Sequence, residues 1–130
     1  MTKILTILAA SVLLSSADDW PRWMGEKADG FWREEGVRKD LPESGAPVKW
    51  RVEVGWGYGG PSVVGDRVFL GDYQRSKGSL MNSPNKAVTW EGKERLLCLD
   101  AKTGKRKWVY EVDRKYELSY PGGPRATPTV

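Results

Sequence analysis

The 130-residue chain carries a net charge of +4, with 29% charged and 39% hydrophobic residues, which is a globular rather than a disordered balance. It has no histidine and one cysteine, Cys98. That excludes zinc fingers, a Ser-His-Asp or Cys-His nucleophile, and any internal disulfide. Basic residues are interleaved with Asp and Glu and never run five together, so nothing marks a nucleic-acid stripe.

In chain order, the first segment is MTKILTILAASVLLSSA. Lys3 precedes an apolar run from Ile4 to Leu14, too short to span a bilayer comfortably. Ser15 and Ala17 satisfy the small-x-small cleavage rule, so residues 1–17 read as a signal peptide cut after Ala17. A buried helix is the competing reading. No cysteine follows the cut that could carry a lipid. The expected product is exported and soluble, periplasmic or extracellular, with no membrane span.

Asp18–Pro47 reads as an irregular leader. Pro21, Pro42 and Pro47 break any long helix. Trp20, Trp23, Phe31 and Trp32 are expected to pack the leader onto the folded body. Val48–Val54 alternates and is β-branched, so a strand is expected there. A Gly-rich loop, Gly55–Gly60, leads to a strand over Pro61–Val64. Gly65-Asp66 is a two-residue hairpin signal, and Arg67–Gly71 is the returning strand.

Gln74–Glu94 is polar and is expected to be an insertion, with a short strand over Ala87–Trp90. Arg95–Leu99 is the next strand, in which Cys98 reads as a small buried hydrophobe. DAKTG, Asp100–Gly104, is the plainest turn. The Asp100 carboxylate can accept from backbone N–H groups two and three residues on, and Gly104 can adopt the left-handed conformation that closes the hairpin. Lys105–Val112 is then a strand and Asp113–Arg125 a loop. Ala126–Val130 begins a further strand.

KWRVEV from Lys49 and KWVYEV from Lys107 are near-copies. Each is followed by a Gly-rich loop and a Pro-led strand. Their separation exceeds the repeat of about 40–50 residues usual in propeller blades, and Gln74–Glu94 accounts for the excess. Between the copies, the strands through Val112 form a four-stranded antiparallel meander, the shape of one blade. Val48–Val54 would be an orphan outer strand.

CLDAKTGKRKW, Cys98–Trp108, resembles the repeat of pyrroloquinoline-quinone-type (PQQ-like) β-propellers, Ala-x-Asp-x-x-Thr-Gly-x-x-x-Trp. Asp100, Thr103, Gly104 and Trp108 match in place, and Cys98 replaces the usual alanine. VVGDRVFLGDY looks like the two preceding strands of that repeat. WPRWMGEKADG resembles the opening of many exported bacterial propellers, with Met24 where arginine is more usual. The resemblance implies an all-β chain whose blade spans residues 61–112, with residues 126–130 starting the next. It also implies that Trp50 and Trp108 dock outer strands against neighbouring blades.

The resemblance admits two functions. One is a quinoprotein dehydrogenase that oxidises alcohols or sugars with pyrroloquinoline quinone (PQQ) and Ca²⁺, through an Asp base and, in the alcohol dehydrogenases, adjacent cysteines. The other is a non-enzymatic ring that serves as a binding or scaffold platform. Adjacent cysteines are missing from this sequence, and Asp100 and Asp66 have turn roles. The platform reading therefore leads, with no catalytic or metal residue assigned and no cofactor demonstrable in this chain.

The hairpin turns Gly65-Asp66 and Ala101–Gly104 should share one end of a meander. The long loops share the other. Loops on a rigid scaffold carry function, so the expected binding face bears Trp56, Tyr58, Arg75, Lys77, Trp90, Tyr116, Tyr120 and Arg125. Its partner would be a protein or a small ligand. A single blade cannot close a ring, so the sequence also reads as the N-terminal part of a longer protein or a truncated reading frame.

Overall fold

The computed structural model describes residues 18–78, 86–120 and 122–130. The expected signal peptide lies outside the described residues. Four strands, β1 (Ser62–Val64), β2 (Arg67–Lys77), β3 (Val88–Asp100) and β4 (Arg106–Leu118), form one open antiparallel sheet in the order β1-β2-β3-β4. No helix occurs among the described residues. The meander read from the sequence is therefore present.

Both hairpin turns form as their residues dictate. Gly65 adopts φ 56° and Gly104 φ 70°, the left-handed region where a Cβ is disfavoured. The Asp100 carboxylate accepts from Lys102 N, Thr103 N and the Thr103 hydroxyl at 3.1, 2.9 and 2.9 Å. The two turns meet at one end of the sheet, where Ala101 N donates to Asp66 O at 2.9 Å. Lys107 Nζ clamps them, 3.1 Å from both Asp66 and Asp100.

Three expectations need correction. First, most of the described part of Gln74–Glu94 is strand rather than insertion, residues 79–85 lying outside the described residues. The β2–β3 ladder continues through Gln74↔Lys93 and Arg75↔Gly92 to Lys77↔Glu91, with an irregularity between Arg75 and Lys77. β4 likewise runs to Leu118 rather than stopping at Val112. The cause is charge and ring complementarity across β3 and β4. Glu91 faces Lys115, Lys93 faces Asp113, Arg95 faces Glu111, and Trp90 faces Tyr116. Such cross-strand pairs stabilise a polar ladder as apolar pairs stabilise a buried one.

Second, Val48–Val54 joins no ladder. Trp50 is drawn to the β3–β4 turn, where its indole N–H donates to Ala101 O at 3.0 Å. Gly55 N is taken by the Asp72 carboxylate at 2.5 Å. Just beyond the segment, Trp56 bridges backbone to backbone with Tyr73 on β2. Third, Ala126–Val130 is not a strand either. The Ser62 hydroxyl donates to Pro128 O, and Val130 N donates to Pro21 O at 2.9 Å. The segment is a strap tied to the leader, which itself bridges β1 through Trp20 and Val63.

Tyr73, Trp90, Leu97, Cys98 and Leu99 are buried. Paired residues share a face of a sheet, so one face carries Phe69, Tyr73, Trp90, Leu96, Cys98, Trp108 and Tyr116, and the other carries Leu70, Asp72, Arg95, Leu97 and Val109. Cys98 is wholly buried and free. In the leader, Trp23, Phe31 and Trp32 stay exposed rather than packing inward as expected; only Trp20 is partly covered.

Candidate functional site

The far end of the sheet, opposite the two tight turns, gathers most of the residues expected to bind. Its centre is Tyr73, fully buried on β2. The Tyr73 ring lies 6.0 Å from Trp90 at 26° and 4.7 Å from Tyr116 at 41°. Its hydroxyl donates to Arg114 O at 2.8 Å, which satisfies the one polar atom on a buried ring. Trp56 meets Trp90 edge-on at 5.9 Å. The Arg75 guanidinium sits 5.4 Å from the Trp90 centroid and donates to Gly78 O at 2.8 Å. Burial pushes the Tyr116 hydroxyl up to about 12, with the charge of Glu94 adding to it.

A second group is built around Arg125, just before the strap. Arg125 lies between Tyr58 and Tyr120, 4.6 and 5.0 Å from their ring centroids. Backbone joins the two groups. Tyr58 N and Gly59 N donate to Pro124 O at 2.8 and 3.2 Å. Gly122 and Gly123 press against the Trp90 ring and the Trp56 carbonyl, so closely that a Cβ at either would come within 2.8 Å of them. Glycine is what lets the strap approach.

Of the eight residues, seven therefore fall into two adjoining aromatic–arginine groups. Lys77 stands apart, 3.5 Å from Glu91. Trp90 requires a correction, because at 4% exposure it is a core ring and presents no surface. Trp56, Tyr58 and Tyr120 are exposed, at 45%, 52% and 52%. An open cleft of about 800 Å³ runs along Gln74, Arg75, Glu91, Lys93, Asp113 and Arg114, and none of these exposed aromatic residues lines it.

Sequence reasoning missed two residues. Tyr73 lies beyond the strand expected over Arg67–Gly71 and was given no role. Asp72 also lies beyond the strand expected to end at Gly71, yet it is 1% exposed. Arg95 grips it with Nε on Oδ1 at 2.8 Å and Nη2 on Oδ2 at 2.6 Å, while Gly55 N takes Oδ2 as well. The partnership with Asp72 raises the Arg95 pKa. A signal was present: one Asp and one Arg fall opposite each other once β2 and β3 are in register.

The repeat residues hold the other end. Trp108 is 42% exposed and lies 6.0 Å from Phe69. Trp50 covers Gly104, where a Cβ would fall 2.7 Å from the indole. Trp50 thus docks on the turn of this same sheet.

Comparison with family models, with characterised proteins and with solved structures finds no match for this chain. The quinone and Ca²⁺ can be tested against the donors themselves. Ca²⁺ requires several oxygen ligands. Among the described residues, no three Asp, Glu, Cys or His side chains lie close enough to hold a metal ion. The best-buried carboxylate, Asp72, is committed to Arg95 and Gly55. The described residues do not fit such a site.

Proposed function

We propose that this sheet is one blade of a PQQ-like β-propeller, and that the protein is an exported, non-enzymatic binding platform. The observation that carries the reading is the grip of Trp50 on the Asp100–Gly104 turn. A tryptophan from one copy of the repeated motif packs on the turn that precedes the other copy, joined by an indole hydrogen bond of 3.0 Å. The meander topology supports it, as does the sharing of one end by both tight turns.

The binding surface on this reading is the exposed part of the far end: Trp56, Tyr58, Tyr120 and Arg125. Aromatic and arginine side chains are the usual anchors of an interface. Its partner is a protein or a small ligand, and the remaining blades cover the faces of the sheet. Signal-peptide cleavage after Ala17 places it outside the cytoplasm.

Equilibrium dialysis of the chain against PQQ with Ca²⁺ tests the non-enzymatic part. Neither is retained on the platform reading, and no dye is reduced when an alcohol or a sugar is added. Stoichiometric retention of the quinone would overturn it in favour of a dehydrogenase.

A further inference from the structure

The leader has no strand or helix, but its own hydrogen bonds hold it in one shape. Gly25 N donates to Arg22 O, Ala28 N to Gly25 O and Gly30 N to Met24 O, at 3.0, 3.1 and 2.9 Å. These turns fold the chain back between Trp20 and Trp32. Met24 and Ala28 take φ 65° and 54°, a region that a residue with a Cβ keeps only where its surroundings fix it. The Trp20 ring is seated on Gly25, where a Cβ would fall 2.9 Å from it, and the Trp20 backbone is tied to Val63 at 2.8 and 2.9 Å. Asp29 clamps both neighbours of Trp32. Its carboxylate accepts from Phe31 N at 3.0 Å and from the Arg33 guanidinium at 3.1 and 2.5 Å.

Between the two tryptophans lies an open cleft of about 460 Å³, lined by Asp18, Trp20, Trp32, Glu34 and Val63. That size suits a small ligand. Its apolar walls are two indoles and a valine, and its only charges are two carboxylates. No basic residue lines it. Neither carboxylate has an ion partner among the described residues, although Glu34 is half-buried. Arg33 feels the charge of Asp18, but its guanidinium is committed to Asp29 and lies 5.7 Å from the centroid of Phe31.

This lining selects among ligands. Two carboxylates without a counter-cation repel an anion. A neutral apolar molecule would cover the indoles and leave the carboxylates uncompensated. Two carboxylates are too few oxygen donors for Ca²⁺, and a bare ammonium is strongly hydrated. A cation with apolar substituents meets both requirements. Its charge is attracted to the indole faces and the carboxylates, and its methyl groups displace water from the rings.

We propose that the Trp20–Trp32 cleft binds a quaternary ammonium of the choline type, the indoles covering its methyl groups and Asp18 and Glu34 balancing its charge. The site needs only the side of Trp32 that faces Trp20, and nothing from the far end of the sheet.

The test is titration of the full chain with choline chloride, followed through the indole N–H resonances of Trp20 and Trp32. Both should shift along one saturating curve by roughly 10 mM choline. The neutral isostere, with a tert-butyl group in place of trimethylammonium, should bind at least about tenfold more weakly. Trp32→Ala should cost at least about tenfold, and Glu34→Gln should also weaken binding, with the circular dichroism unchanged. Trp23→Ala removes a ring that does not line the cleft and should leave binding intact. Binding should persist after residues 1–17 are cut off. Retention on phosphatidylcholine vesicles would name a lipid headgroup as the source of the cation, and free choline bound without such retention would name the soluble cation; either result keeps the site. Equal binding of the neutral isostere would overturn the proposal, since the cleft would then be merely apolar. So would indole resonances that do not move, or binding lost on cleavage after Ala17, which would give the cleft to the new α-ammonium of Asp18.

Discussion

Asp100 shows how one side chain can organise a turn. The hydrogen bond from the Thr103 hydroxyl comes first, then that from Lys107, and together they lower its pKa from the usual 3.8 to about 2. A carboxylate with a depressed folded pKa stabilises fully above its unfolded pKa, and that stability is lost as pH falls through the folded value. The turn should therefore hold above about pH 4 and loosen between about pH 4 and 2. Asp100→Asn should flatten that part of a melting-temperature profile. An identical profile in the variant would remove Asp100 from the explanation. At Gly104, alanine meets both a φ of 70° and the Trp50 ring. Gly104→Ala should cost about 1–2 kcal/mol from the backbone alone, read by urea unfolding. At the buried pair, Arg95→Ala leaves the Asp72 side chain buried without its ion partner and with the Gly55 N–H still bonded to it, a loss of about 3–5 kcal/mol. The double replacement Asp72→Leu with Arg95→Met should be milder than Arg95→Ala. If it is worse, the pair is a net stabiliser beyond its own desolvation.

At the scale of the element, the sheet is a short β1 beside three long strands, and legibility divides along that line. Short apolar stretches with Gly-Asp or Asp-x-x-Thr-Gly turns were readable, because apolar alternation and turn residues are local signals. So were β1 and the parts of β2, β3 and β4 next to the two turns. The extensions Gln74–Lys77, Glu91–Glu94 and Asp113–Leu118 were not, since they hold together by pairing partners distant in sequence; the start of β3 was, as the short strand over Ala87–Trp90. Glu91 and Lys93 read as loop composition until Lys115 and Asp113 are set opposite them. Val48–Val54 failed in the other direction. Its alternation suits a strand, but Trp50 and Gly55 are captured by a turn carbonyl and a buried carboxylate before a ladder can form. For the candidate site, the exposed aromatic residues were legible as loop anchors. The buried ring Tyr73 and the burial of Trp90 became visible only once the strands were in register. Hydrogen exchange checks the extensions directly. Amides from Gln74 to Lys77 and from Gly92 to Glu94 should be protected comparably with those of Arg67–Gly71. Exchange as fast as in an unstructured peptide would restore the insertion reading.

At the scale of the whole molecule, the sheet is covered unevenly. Trp108 and Tyr110 are open on β4, and Trp23, Phe31 and Trp32 on the leader. Exposed apolar area of this kind marks a surface that meets a partner, and in the proposed ring that partner is the next blade. The chain by itself should bind a hydrophobic dye and associate on concentration, more so when Trp50→Ala frees the turn. A chain that binds no dye would contradict the need for neighbours. The central claim, that this is one blade of several, is tested most directly by sequencing the coding frame past the codon for Val130. The account predicts several further Asp-x-x-Thr-Gly-x-x-x-Trp copies in frame, enough for the four or more blades of a ring. A stop codon with no further copy would contradict it and leave the sheet to find its neighbours in other chains.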